Sequence, residues 1–300
     1  MTMDASVKPA EPDQFAHWNG PHAKGWVADR ESFDKQLAAL NARALALAAP
    51  RPGDFVLDIG CGCGTSSLAL AEGAGEAGHV LAADISAVML GEAARRARAA
   101  GRDNLSFKQA DAETHAFISP DQPWRGFDLV FSRFGVMFFA NPKAAFRNIA
   151  GAMAANGRLC FVCWQAFEKN PWMALPARIA ERFVDLPPRP DPHAPGPFSL
   201  ADPGRIHALL SGAGLEDIAI ETLEEALPLA GGGGMEHTLA FVLSKGPWAA
   251  ALREAPREAS ERFAEALAEE LEAFVRDEAV VMESAAWLVS ARRPPWLASP

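Results

Sequence analysis

The stretch Phe55-Val56-Leu57-Asp58-Ile59-Gly60-Cys61-Gly62-Cys63-Gly64 constrains this chain more than any other. Phe55, Val56, Leu57 and Ile59 are apolar strand formers, as a buried parallel strand requires. Asp58 interrupts them just before the strand ends, and glycine then recurs at every second position, 60, 62 and 64. Thr65-Ser66-Ser67 opens a run of helix formers, and its hydroxyls suit a helix start. The stretch therefore reads strand, glycine turn, helix. Glycine lets backbone pass close to a ligand and take up positive φ. The helix N-terminus aims unbonded N–H groups at the same place.

The chain has 300 residues, enough to bury a sizeable core. Hydrophobic content is 49%, yet no apolar run reaches the roughly 18 residues of a membrane span. The first residues are polar, with Glu11-Pro12-Asp13 in a row, so they do not read as a signal peptide and a cytoplasmic location is expected. A net charge of -10 disfavours nucleic acid, whose phosphates need a basic footprint. The pairs Cys61/Cys63 and Cys160/Cys163 invite a zinc reading. An offset of three along a strand puts Cys160 and Cys163 on opposite faces, so buried reduced thiols are expected instead.

Ahead of the core, residues 15–27 carry Trp18, Trp26, His17 and His22, a hydrophobic arm or a lid. Residues 29–49 have helical spacing, and Pro50, Pro52 and Gly53 end that helix. After the glycine turn, 79–83 is a second buried strand ending at Asp84, and Ser86 caps a helix that stops at Gly101. Residues 105–109 form a third strand ending near Asp111, and 127–131 a fourth. Asn141-Pro142 opens a helix running to Asn156-Gly157, and 158–164 is a fifth strand. The proline-rich part of 165–203 reads as irregular. Residues 206–211 form a short helix, 217–227 a sixth strand, and 231–234 a hinge. Residues 248–276 read as a helix kinked at Pro256, and 281–292 hold a closing strand. This alternation predicts an α/β, doubly wound, Rossmann-like sheet with ligand at the carboxyl ends of the strands.

Two ligand families use such a turn. Dinucleotide enzymes use Gly-x-Gly-x-x-Gly, but here the third glycine comes one residue early. A Gly-x-Gly-x-Gly turn preceded by an acid resembles motif I of the class I S-adenosylmethionine (SAM) methyltransferases. Ala83-Asp84-Ile85-Ser86 resembles the acidic end of their second strand, and residues 109–113 the end of the third. Residues 127–139 look like the strand-four region of small-molecule members. The Trp-Asn-Gly-Pro arm and the closing Ala-Trp-Leu-Val-Ser-Ala-Arg-Arg are similar to the relatives of ubiquinone/menaquinone C-methyltransferases.

The resemblance implies a seven-stranded sheet in the order 3-2-1-4-5-7-6, strand seven antiparallel, with helical lid insertions. It implies an N-terminal arm over 1–50 and a methyltransferase domain over 51–300, with lid insertions at 165–203 and 229–279. Asp58, Gly60, Cys61, Gly62 and Gly64 would pass under the methionine part of SAM. Asp84 would accept both ribose hydroxyls, with Ile85 on the adenine. Asp111 would accept the adenine amino group, and the Ala112 N–H would bond a ring nitrogen. Ser132, Arg133 and Phe134 would line the sulfonium and the acceptor, and Trp18 and Trp26 would close over it.

The implied activity is metal-independent O- or C-methylation of a small, apolar or aromatic molecule by in-line displacement. No acids follow strand four to hold a cation, and no Asn/Asp-Pro-Pro-Tyr/Phe stands there, so neither metal nor nucleic-acid substrate is expected. A base is needed only if the acceptor must lose a proton. Of His17, His22, His115 and His237, His17 beside Trp18 is the candidate, and Arg133, expected near the transferable methyl, is the other catalytic candidate. The competing readings are a nicotinamide-dependent oxidoreductase, whose ribose Asp84 would serve equally well, and a SAM-binding protein without turnover. The acceptor and the oligomeric state are not legible.

Overall fold

The computed structural model describes residues 14–118, 126–188 and 190–296. The start of the expected arm, residues 1–13, lies outside them. Helices α1 (Gln14–Asn19), α2 (Pro21–Ala28), α3 (Arg30–Gln36) and α4 (Ala38–Ala48) lead in. The alternation follows: β1 (Phe55–Ile59), α5 (Thr65–Ala74), β2 (His79–Asp84), α6 (Ala87–Ala99), β3 (Leu105–Gln109), β4 (Phe127–Arg133), α7 (Pro142–Ala152) and β5 (Met153–Trp164). Next come α8 (Pro171–Ala180), α9 (Pro203–Gly212), β6 (Glu216–Pro228), α10 (Gly234–Ser244), α11 (Trp248–Glu254) and α12 (Arg257–Leu271). The strands β7 (Val275–Arg276) and β8 (Ala279–Arg292) close the described chain.

The sheet order is β3-β2-β1-β4-β5-β8-β6, with β7 paired to β8 off that path. Strands β1 to β5 pair in parallel, and β8 runs antiparallel to both β5 and β6. The doubly wound order is therefore as expected, but the sheet has eight strands and not seven. The extra one arises because Asp277 and Glu278 both take positive φ, 47° and 68°. That is the backbone of a two-residue hairpin turn, and it ends the helical reading of 248–276 early.

Other boundaries shift for local reasons. Helix α7 stops at Ala152 rather than at Asn156-Gly157, and β5 starts at once. There the register jumps from Phe127↔Met153 to Leu129↔Arg158. The C-terminal strand end supplies the bonds: Arg293 Nη1 donates to the Met153 carbonyl at 2.6 Å, and Asn156 N–H donates to the Arg293 carbonyl at 3.0 Å. The 29–49 helix is broken at Leu37. Helix α8 stands ahead of the proline-rich part read as irregular, in a stretch where the sequence reading placed no element, and α10 follows the glycine-rich turn directly.

The core sits between sheet and helices. Leu57, Leu129, Phe131, Phe161 and Val289 are wholly buried. The four thiols are free and buried. Cys160 Sγ faces the Ala44 carbonyl on α4 (3.6 Å), while Cys163 Sγ faces the Leu200 carbonyl (3.9 Å), on opposite faces of β5 as the spacing required.

Two contacts bring the end of β4 against the turn after β1. Ser132 Oγ donates to the Ile59 carbonyl at 2.8 Å. Gly135 lies so close that a Cβ there would stand 2.9 Å from the Gly60 Cα and 2.9 Å from the Ile59 oxygen, both backbone atoms. Gly135→Ala should therefore cost about 1–3 kcal/mol, the usual penalty of overpacking. Urea unfolding of the two proteins measures it, and an unchanged midpoint would mean that the backbones part without cost.

Candidate functional site

The glycine turn is built almost entirely from backbone. Gly60, Gly62 and Gly64 take positive φ of 65°, 54° and 82°, where side chains are strained. The Gly60 and Cys61 N–H groups both donate to the Ala83 carbonyl at the end of β2, at 2.8 and 3.2 Å. The Asp84 carboxylate completes the joint: one oxygen accepts the Gly62 N–H and the other the Ser86 N–H, each at 2.8 Å. Burial raises the Asp84 carboxyl above the ordinary range, and the N–H groups of Ser86, Gly62 and Ile85 pull it back down.

Asp58 lies behind the turn. It is fully buried, and its Oδ2 accepts the hydroxyls of Ser66 and Ser67 at 2.8 and 2.6 Å. The hydroxyls after the turn therefore do not cap α5; its N-cap is Gly64, with no side-chain cap bond. Burial pushes the Asp58 carboxyl up to about 6. The two serine hydroxyls and the Arg133 guanidinium oppose that shift, and Asp84 adds to it.

In front of the turn lies a cavity of about 1110 Å3. This exceeds the roughly 300–1,000 Å3 of a typical small-molecule site, leaving room for a cofactor and a second molecule. Gly60, Cys61, Gly62, Asp84 and Ile85 form its floor, and Asp111 and Ala112 lie beside them at the end of β3. Glu113, which carried no expected role, ties this edge to the loop after β4: its carboxylate accepts the Ala140 and Asn141 N–H groups at 2.5 and 3.0 Å.

The arm forms the opposite wall, with His17, Trp18 and Trp26. Asn19 holds it in place. Its Oδ1 accepts the Ala87 N–H at 2.9 Å, and its Nδ2 donates to the Ile85 carbonyl at 3.1 Å. Trp26 stacks on Phe33 at 3.9 Å, and Trp18 meets Phe138 edge-on at 5.1 Å. A second set of rings enters from the sheet: Phe134 stacks on Trp164 at 4.2 Å, with Trp172 beyond. Phe134 holds its ring there at a φ of 58°, a conformation that non-glycine residues seldom take. His17 and His22 stack at 4.3 Å. Burial lowers both, His22 to about 4 with help from the charges of His17 and Lys245, so both imidazoles are neutral at pH 7.

Asp34 on α3 was not singled out in the sequence, where it looks like any acid on an amphipathic helix. It bonds the Thr65 hydroxyl at 2.6 Å, pairs with Arg96 at 3.2 Å and lies 3.7 Å from Arg133. Twelve of the fifteen residues read as site residues line the cavity. The other three do not line it: Gly64 ends the turn where α5 starts, and Asp58 and Ser132 brace the turn from behind. The signal missed for Asp58 and Ser132 is burial: a polar side chain inside a strand is readily satisfied by neighbouring backbone and hydroxyls. Among the described residues no group of three or more His, Cys, Asp or Glu could hold a metal ion.

Residues 56–157 match the family described as "Methyltransferase domain". The matched stretch runs from β1 into β5 and agrees with the resemblance. Aklanonic acid methyltransferase DauC of Streptomyces sp. (strain C5) is 34% identical over 122 residues, 41% of this chain and 53% of that protein. Nocamycin O-methyltransferase of Saccharothrix syringae is 32% identical over 117 residues, 39% of this chain and 40% of that protein. The chain thus spans about half the length of these relatives or less. Two solved structures share the fold. The YcgJ protein of Bacillus subtilis has a TM-score of 0.54 at 18% identity, covering 84% of this chain and 99% of its own. A phosphoethanolamine N-methyltransferase 2 of Haemonchus contortus, solved with S-adenosyl-L-methionine, has a TM-score of 0.56 at 16% identity, covering 96% of this chain and 61% of its own.

The raised Asp58 carboxyl has a pH signature. The unfolded carboxyl titrates near 3.8 and the folded one near 6, so between those values the folded state holds a proton that the unfolded state has lost. The Asp58 contribution to stability is present below pH 3.8 and is lost as the pH rises through 6. Asp58→Asn removes this dependence while Asp84 titrates in both proteins. The wild type should lose stability relative to the variant between pH 3.8 and 6, and urea midpoints across that range measure the difference. Parallel curves would mean that Asp58 stays ionised throughout.

Proposed function

We propose that the chain transfers the methyl group of SAM to a small apolar or aromatic acceptor, on oxygen or carbon, without a metal. The observation that carries this is the glycine turn, joined by Asp84 to the end of β2 and opening on one cavity with Asp111. The residues suit the cofactor. The floor presents glycines rather than side chains, and a carboxylate offers about four acceptor sites, so Asp84 can take ribose hydroxyls besides its two N–H groups. Asp111 and the Ala112 N–H offer an acceptor and a donor to the adenine edge. The names of the two relatives, which state methyl transfer to aklanonic acid and O-methylation of nocamycin, support a small-molecule acceptor.

When bound, SAM supplies an electrophilic methyl, and the protein supplies position and dryness. Phe134, Trp164, Trp18 and Trp26 exclude water and offer ring faces to a flat acceptor. Neutral His17 takes the proton of a hydroxyl acceptor, and Arg133 supports charge in the same wall. Residues 1–50 act as an arm over the domain formed by 51–300, and the insertions 165–203 and 229–279 complete the acceptor side. Nothing favours the nicotinamide reading.

Calorimetry should show binding of SAM and S-adenosylhomocysteine but not of NAD, with turnover of labelled SAM in a screen of phenols, quinols and carboxylates. Asp84→Ala should weaken cofactor binding by about 1–3 kcal/mol, the cost of unpaired polar groups. Unchanged affinity would falsify the ribose role. Residues 15–30 should exchange amide hydrogens more slowly with S-adenosylhomocysteine bound; equal rates would leave the arm as packing alone.

A further inference from the structure

We propose that Gln36 is the polar anchor of the acceptor side of the cavity and donates from Nε2 to a ketone oxygen of the acceptor, a reading that rests on the methyl-transfer site proposed above. Gln36 lines the cavity, yet it is only 3% exposed. Its Oε1 accepts the Ala230 N–H at 2.9 Å. That bond fixes which way round the amide sits, because an N–H can face only the oxygen end. Nε2 is therefore the end left over. Among the described residues it has no hydrogen-bond partner, and it is not one of the sealed polar atoms. The little surface left to so buried a residue faces the cavity that it lines.

The surroundings narrow what can meet that donor. Phe33 stands one turn earlier on α3, Leu37 follows, and Leu229 precedes Ala230; all three line the cavity with Gln36. Phe33 carries ring contacts to Trp26 and Phe241, at 3.9 and 5.0 Å. Two polar groups of the same wall are used internally: Trp248 Nε1 donates to the Val242 carbonyl at 2.8 Å, and the Ser244 hydroxyl to the Phe241 carbonyl at 2.9 Å. Asp34, two residues before Gln36, leaves the other side of α3 and bonds Thr65, just after the glycine turn, at 2.6 Å. Gln36 therefore serves the acceptor side rather than the cofactor floor. An amide donor among rings and aliphatic side chains is costly while unfilled. It is neutral, and its oxygen is taken, so it matches an uncharged acceptor atom and offers none to an amine or hydroxyl hydrogen. A ketone on a flat ring system meets both the donor and the rings. The Ala230 bond holds the amide in place beforehand, so little freedom is lost when the ketone arrives.

The test uses a matched pair, 9-fluorenone-2-carboxylate and fluorene-2-carboxylate, which share ring shape and charge and differ in one ketone. Calorimetry gives their affinities for wild type, Gln36→Met and Gln36→Glu, with S-adenosylhomocysteine titrated into each protein. Wild type should bind the fluorenone about 3- to 10-fold more tightly than the fluorene, the worth of one hydrogen bond. Gln36→Met should bind the two alike, at the affinity of wild type for the fluorene. Gln36→Glu keeps an oxygen for the Ala230 N–H; at about pH 8.5 its carboxylate donates nothing, so it too should lose the preference. Both variants should keep wild-type affinity for S-adenosylhomocysteine, which also reports a folded protein; if Gln36→Met fails there, Gln36→Glu decides. A wild type that does not bind S-adenosylhomocysteine sinks the SAM reading, and Gln36 is then judged on the matched pair alone. A wild type without preference, including one that binds neither probe, overturns the anchor. So does a variant that keeps the preference, or one that weakens both probes equally, since Gln36 would then do no more than hold the turn at Ala230.

Discussion

A single carboxylate, Asp84, fixes the geometry on which the site depends. It ties the turn after β1 to the end of β2 through two N–H groups. Parallel strands alone would set these two ends side by side, but not the path of the chain between them. With Gly62 held, the backbone from Gly60 to Gly64 has one course, and α5 starts where that course leaves it. Asp58 repeats the device one layer deeper, joining β1 to the first turn of α5 through two hydroxyls. Both acids occupy sites where burial disfavours their charge, so the fold gives up some of the stability of an apolar joint in return for a defined turn.

The central alternation was legible because parallel strands buried on both faces read as apolar runs, and because glycine and proline mark their ends. The order of strands was legible only through the resemblance. What the sequence hid is instructive. The β7 strand is too short for any periodicity, and it exists because Asp277 and Glu278 adopt positive φ without the usual glycine or asparagine. Helix α8 begins at Pro171 and contains Pro176, a residue that costs a helix interior a hydrogen bond, so no clear helical signal marks it.

The site was legible to a different degree on its two sides. Side chains from the strand ends follow from register, so Asp84, Asp111 and Arg133 fell where the pattern put them. Asp34, Asn19 and Gly135 did not, since each acts across a tertiary contact. Gly135 matters for what it lacks, and only the approach of Gly60 reveals that. Asp34 and Asn19 look like ordinary polar residues of a surface helix, and the partners that tie them to the site lie 31 or more positions away.

Asn19 carries one further consequence. Its side chain recognises the carbonyl of residue 85 and the N–H of residue 87, groups that every amino acid presents there except proline at 87. The grip of the arm is therefore indifferent to which side chains stand there. Residue 85 faces the cavity floor and can be exchanged in the course of divergence, altering what the floor touches, while the arm keeps the same handhold. Such a separation lets descendants of one scaffold change their contents without having to reinvent their cover.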